Sequence, residues 1–510
     1  MQKKQTILVV ASLLVVVLSV TLAYFTAQII GKGKNVTINS ADLKIIFTDS
    51  DGSISGSNIE PGKWDVTKTF TIENKSNETY KYNIVIQNLV NTFVTEGYLQ
   101  YKITSTNGGY NMTEFKDVPK SSAPKDKILA YSVSIPVGVT QSYTVEFKYA
   151  NDESVDQSED MGKILSGKLF ITEGTEEPVT LLSQILKDNP TRSTRSNNNN
   201  GTNDFATPLT TTTTGTLFTS TESITGITDS PKEVYYFAGN TTKNWVKFAN
   251  LYWRIIRTNH DSSIRLLYVG TSHDTTTGNI GTSAFNTSYN SPKYVGYKYG
   301  EDTSLDTIRN NTTDSTIKTT IDTWYQNNLT NYTKYLSTSA VYCNDRSEGT
   351  GQTYSASDGF NFAPYYRMDY DTDGASSNPS YNCTDIRDAF SVDNTNAKLD
   401  YPISLMTADE IAYAGGVAYQ TMSTPYAWFI SNSAGTQVSS YWWSLSPINW
   451  GGSYAGVWRW NSGSANLNGG YVNGTYAVRP AISLKSCIKY STGNGTYETP
   501  YEIVETSSGC

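Results

Sequence analysis

From Val36 to Tyr149 the chain alternates apolar and polar positions in short runs. The clearest are Val36 to Asn39, Leu43 to Phe47, Thr67 to Ile72, Tyr80 to Ile86 and Ser142 to Tyr149. A period of two places every second side chain on one face of a strand, so each run predicts a half-buried β-strand. Turn residues punctuate the runs: Asp51-Gly52, Pro61-Gly62 and Asn107-Gly108-Gly109. No helical period occurs here. Short strands at this spacing predict an all-β sandwich over residues 32–175, with Phe70 and Ile72 facing its core.

The pattern changes at about residue 176. Thr180 to Asp188 reads as a short amphipathic helix stopped by Pro190, and is followed by Asn197 to Asn200 and the threonine run 210–214. That composition predicts a flexible or extended polar linker over 176–230. A second globular domain is predicted over 231–510. It opens with Trp245 to Phe248 and Leu251 to Ile256, turns at Asn259 to Ser262 and returns as Ile264 to Val269. A helix is predicted from Ser315 to about Asn331, with Ile317, Ile321, Trp324 and Leu329 inward. Thr407 and Glu410 have the spacing of a capping box and predict a second helix start. Strands return at Ser440 to Ser444, Ala455 to Trp458 and Tyr476 to Leu484, so this domain reads as α+β.

Ahead of both domains, Lys3 and Lys4 precede an uncharged run from Thr6 to Gly31. About 20 apolar residues span a bilayer as a helix, and the preceding positive charge sends the rest of the chain outward. Segment 1–31 therefore predicts an N-terminal transmembrane helix or a signal peptide, with membrane contact through it and an extracellular body. The chain has four cysteines, Cys343, Cys383, Cys487 and Cys510. An even count in an exported chain predicts two disulfides. Three pairings are open, and proximity in sequence favours Cys343 with Cys383 and Cys487 with Cys510.

Charged residues make up 17% of the 510 residues and the net charge is −8. That excludes broad phosphate-backbone binding, so no nucleic-acid partner is expected. The two histidines, His260 and His273, exclude a three-histidine zinc site. No phosphate-binding glycine loop and no nucleophile elbow occurs, and no enzymatic activity is expected.

Two resemblances follow from particular residues. The export segment ending in Ala23-Tyr24-Phe25, then Asn39 to Leu43, Ile59-Glu60-Pro61-Gly62 and Phe70 to Ser76 resemble the camelysin/TasA-type β-sandwich family of Gram-positive bacteria. That resemblance implies an exported surface or biofilm-matrix component, and a fibre assembled by strand addition is the alternative role it carries. Ser404 to Gly416, Trp442-Trp443-Ser444-Leu445-Ser446-Pro447 and Val478-Arg479-Pro480 resemble the formylglycine-generating-enzyme-like and C-type-lectin-like domains of secreted Firmicute proteins. The copper-binding cysteine motif of the enzymatic branch is not matched. The resemblance therefore implies the binding branch, whose best-known members display variable C-terminal surfaces, some diversified by retroelements. Trp442, Trp443 and Arg479 read as scaffold, with Arg479 paired to a buried carboxylate.

Composition points to one segment. Tyr, Ser, Gly, Asn and Trp fill 21 of the 29 positions from Ile448 to Tyr476, a palette shared with antibody paratopes. Lys, Glu, Gln, Met and Asp are absent there; adenine-directed mutagenesis of Asn codons ending in a pyrimidine cannot give the first four, so their absence is consistent with it. A ligand face for an extracellular protein or glycan is predicted, made of Trp450, Tyr454, Trp458, Arg459, Trp460, Asn461, Asn466, Asn468, Tyr471 and Asn473. Separately, Asp369, Asp371 and Asp373 precede Gly374 in the pattern of a calcium loop. They are the candidate ligands of a structural calcium ion; no other cofactor is implied.

Overall fold

The computed structural model describes residues 36–40, 43–49, 53–56, 59–506 and 509–510. Positions 96, 196, 199–201, 207–208, 210–216, 369–377, 421–427 and 437–440 are excepted. The predicted segment 1–31 and the aspartates Asp369, Asp371 and Asp373 lie outside the described residues. Among the described residues no helix is long and apolar enough to cross a membrane. The chain divides into two compact units, ending and beginning at Glu177 and Pro178.

Among the described residues the first unit is built from strands alone, apart from a 3₁₀ turn at Ser158–Asp160. One sheet runs in the order Val36–Ser40, Leu43–Asp49, Trp64–Asn74, Thr140–Tyr149, Leu99–Ser105, Lys116–Asp117. The other runs Ser53–Gly56, Leu165–Glu173, Tyr80–Asn91, Ser121–Ile135. All the pairings are antiparallel. The period of two in the sequence is the cause. In Thr140–Tyr149, Gln141, Tyr143, Val145, Phe147 and Tyr149 turn inward, while their neighbours are exposed or half-buried. Phe70, Ile72, Ile103 and Val145 of one sheet share a single core with Ile84, Ile86, Leu169 and Ile171 of the other. Two sheets around one core form a β-sandwich.

The second unit centres on a ten-stranded sheet. Leu251–Thr258 pairs with Trp245–Phe248 on one side and Ile264–Gly270 on the other, and Ile264–Gly270 pairs in turn with Pro480–Leu484. Seven of the eight residues of Leu251–Thr258 and all of Ile264–Gly270 are buried, so both faces are covered. The helix Thr316–Asn328, capped by Ser315, buries Ile317, Ile321 and Tyr325. The expected Trp324 is only half-buried, because residues spaced by four keep one helical face and the next step lands on Tyr325. The predicted linker is also corrected. Leu181–Asp188 is a helix whose Leu181 and Ile185 enter the main core, and Leu217–Glu222 pairs antiparallel with Lys232–Phe237. Scattered apolar residues suffice here because a preformed sheet receives them.

Burying strands end to end also buries their arginines. Arg257 donates to Glu222 at 2.8 Å and to Glu410 at 2.8 Å, and Arg265 reaches Glu410 at 2.5 Å. Glu410 completes the capping box on Thr407, accepting the Thr407 N–H while Thr407 Oγ1 accepts the Glu410 N–H. Burial alone would raise the Glu222 carboxyl. The adjacent Arg257 overcomes that and holds it at about 2, below its usual 4.5, and Glu410 is lowered in the same way. Among the described residues Arg479 meets no carboxylate, contrary to expectation. It donates to the carbonyls of Phe429 and Tyr268 beneath Trp442, and burial pulls it down to about 9. The cysteines bond as Cys343–Cys383 and Cys487–Cys510.

Two outcomes follow. A carboxylate lowered in the fold stabilises fully above its unfolded pKa and loses that contribution as pH falls through its folded one. Chemical denaturation should therefore show stability falling from about pH 4.5 toward pH 2, and the decline should be shallower in Glu222→Gln than in the wild type. Both disulfides lie in the second unit and close loops spanning 40 and 23 residues. Reduction should cost about 3 kcal/mol per bridge there. Hydrogen exchange should show faster opening of 178–510 and no change within the cysteine-free first unit.

Candidate functional site

The segment singled out by composition folds as a meander. Tyr441–Trp450 pairs with Ala455–Asn461, which pairs with Asn466–Tyr471, antiparallel throughout. The register decides which side chains share a face. Trp460 lies opposite Trp442 and Leu467, and Trp458 opposite Gly469. One step along, Arg459 lies opposite Trp443 and Asn468, and Asn461 opposite Tyr441 and Asn466. Successive residues point to opposite faces. Trp458 and Trp460 therefore cannot share a ligand face with Arg459.

The tryptophan face is the inner one. Trp458 and Trp460 are 0% exposed and Trp450 is 3% exposed. Trp460 packs edge-on to Phe429 at 4.9 Å, and Trp458 contacts Tyr419 at 5.6 Å. The expectation that these three rings meet a ligand is thus corrected: they are core. Asn461 and Asn466 are buried as well. The Asn461 side-chain oxygen accepts the N–H groups of Gly463 and Ser464, so it builds the hairpin turn. Tyr454 and Tyr471 pair at 4.4 Å at the far end of the meander, with Tyr471 57% exposed, and Asn473 is exposed in the turn that follows.

On the outer face Arg459 and Asn468 sit side by side, both half-buried. The Arg459 guanidinium lies 4.5 Å from the ring centre of Tyr441 and 4.5 Å from that of Tyr476. The two rings are 5.8 Å apart and inclined at 51°, so they form an angled notch with the guanidinium in it. Its Nε–H donates to the Gly469 carbonyl at 3.0 Å. Gly470 is the floor. A Cβ there would stand 2.7 Å from Arg459 Cδ and 3.1 Å from the Trp443 ring. Only a glycine lets the arginine lie flat on the strand. Among the described residues Arg459 has no carboxylate within 4.0 Å. Its terminal nitrogens, the Asn468 amide and the Tyr441 and Tyr476 hydroxyls have no hydrogen-bond partner there.

Sequence reasoning selected Arg459 and Asn468 but missed Tyr441, Tyr476 and Gly470. Strand periodicity was the signal that could have found them. Tyr441 and Trp443 share a parity in the Tyr-Trp-Trp run, and the first of them falls opposite Asn461 once the hairpin is drawn.

Two other clusters hold polar side chains together. Asp314, Asp322 and Asp400 converge as a cation site would, but Lys318 Nζ occupies their centre at 3.0, 2.6 and 2.6 Å. The ammonium already supplies the charge. A groove beside the Thr316–Asn328 helix is lined by Thr316, Thr319, Thr320 and Thr323. The last three donate their hydroxyls to helix carbonyls, so the helix wall of the groove offers mainly methyls, and the polar side chains opposite, such as Asn286 and Ser288, form no defined charged site.

The two faces should separate by mutation. Trp458→Ala and Trp460→Ala should each destabilise the second unit by about 3–5 kcal/mol, as emptied core positions do. Arg459→Ala should change stability by less than about 1 kcal/mol. Urea titration of the three variants measures both.

Compared with protein-family models and with curated proteins, the chain matches none.

Proposed function

We propose that this is a non-enzymatic ligand-binding protein of a Gram-positive cell surface, whose C-type-lectin-like second unit binds an extracellular glycan or protein. In this reading the N-terminal segment exports or anchors the chain, and the β-sandwich lies between it and the binding unit in the sequence. Two disulfides in one unit support an oxidising, external location. The resemblances in Ser404 to Gly416 and in Trp442 to Pro447 support the lectin-like assignment.

The observation that carries the proposal is the Arg459 notch. A guanidinium held between two rings over a glycine has lost most of its rotamer freedom before any ligand arrives, so binding costs less ordering entropy. Its unspent donors, the Asn468 amide and two phenol hydroxyls form a polar set around one guanidinium on neighbouring strands. Nothing in the fold requires such a set to remain unpaired.

Glycan and protein arrays probed with the full chain test this. Binding should fall at least tenfold in Arg459→Ala and in Tyr476→Ala, while their melting temperatures stay close to wild type. Equal binding by wild type and both variants would defeat the proposal. Fibres formed by the purified protein, together with no array binding, would favour the matrix role instead.

A further inference from the structure

We infer that the ligand of this face is an acidic saccharide, one whose carboxylate meets Arg459 while its ring hydroxyls meet Asn468 and the two tyrosine hydroxyls. The inference rests on the proposed binding role of the same face and adds the chemical class.

The other arginines of this unit are already engaged. Arg257, Arg265, Arg309, Arg346, Arg367 and Arg387 each reach a carboxylate. Arg254 and Arg479 are buried and end on an amide oxygen or on backbone carbonyls. Arg192 and Arg195 also donate to backbone carbonyls. Arg459 has spent only its Nε–H, and it does so at a half-buried position where water can reach it. In a chain of net charge −8, an arginine with no carboxylate beside it among the described residues is a place where external negative charge is favoured. Its two terminal nitrogens form a planar fork, the geometry that recognises a carboxylate through two parallel hydrogen bonds.

The neighbours narrow the class. A peptide ligand usually seats an aromatic or aliphatic anchor in a desolvated pocket. Here the rings of Tyr441 and Tyr476 are already taken up by the guanidinium, and the strand floor is Gly470 and the buried Trp443. What remains open is polar: an amide that can donate and accept, and two hydroxyls that can do either. That set matches the alternating hydroxyls around the carboxylate of a uronic acid.

The test uses the full chain and two saccharide probes, an oligogalacturonate and the same oligomer with its carboxyls reduced to alcohols. Calorimetric titration should show binding of the acidic oligomer only, weakening as salt is raised. Arg459→Gln should abolish it. Arg459→Lys should weaken it at least tenfold, because a point charge cannot replace the fork. Unchanged thermal melts of both variants serve as the folding control. Equal binding of the acidic and reduced oligomers, lost in Arg459→Gln, would overturn the acidic class but keep the face. Binding of a sulfated or phosphorylated oligomer in preference to the uronate would overturn the carboxylate. Acid-oligomer binding that survives Arg459→Gln would overturn both the class and the face. No binding of either oligomer would overturn the saccharide inference, and array binding of a protein that depends on Arg459 would then leave the face standing.

Discussion

Burying Trp442, Trp458, Trp460 and Leu467 on one side of a single meander sets what the other side can offer. Each indole removes on the order of 200 Å² from water, and three of them lie within one hairpin. A one-residue slip would turn all of them onto the Arg459 face and drive Arg459 into the core, so the register is held by core burial rather than by the turn. Arg459, lying between Trp458 and Trp460, then has no choice of face. Asn468 follows because it is the residue paired opposite. The Arg459 notch is in this sense a by-product of the hydrophobic core one strand-thickness away.

A second constraint acts through charge. The chain is poor in charged residues, yet its most buried strands carry Arg254, Arg257 and Arg265. An unpaired buried guanidinium would cost several kcal/mol. Glu222 and Glu410 are therefore placed against Arg257 and Arg265, and Glu410 closes a helix cap with its other oxygen. The same carboxylate joins the Leu251–Thr258 strand, the Ile264–Gly270 strand and the Ala408–Ala414 helix. Interior carboxylates are used up in this way. That is why an outward arginine on the meander finds none nearby.

What could be read in advance depended on how local the cause was. Strand alternation around Phe70 and Ile72, the capping box of Thr407 with Glu410 and the helix opened by Ser315 are all set within a few residues. Each stands in the structure as the sequence implies. The ligand segment was read from composition, which has no direction, and so it mixed both faces of one strand. Trp458, Trp460 and Trp450 entered the list because aromatic residues suit paratopes. Their parity already placed the first two opposite Arg459. Strand periodicity gives the parity of Tyr441, but its meeting with Tyr476 depends on the pairing of Trp442 with Ala477, far apart in sequence, and the linker docks on a sheet formed largely by later residues. Neither contact is visible without long-range pairing.

Parity also limits how such a face could change over time. A segment diversified as a whole would strike Trp458 and Trp460 as often as Arg459, and each inward hit removes a core side chain worth several kcal/mol. Gly470 is closed for another reason, since any side chain there collides with the arginine. The positions that can vary without cost to the fold are the outward and terminal ones: Tyr454, Arg459, Asn468, Tyr471 and Asn473. Variation concentrated there would alter the ligand while leaving the meander intact. Variation spread evenly from Ile448 to Tyr476 is incompatible with this core.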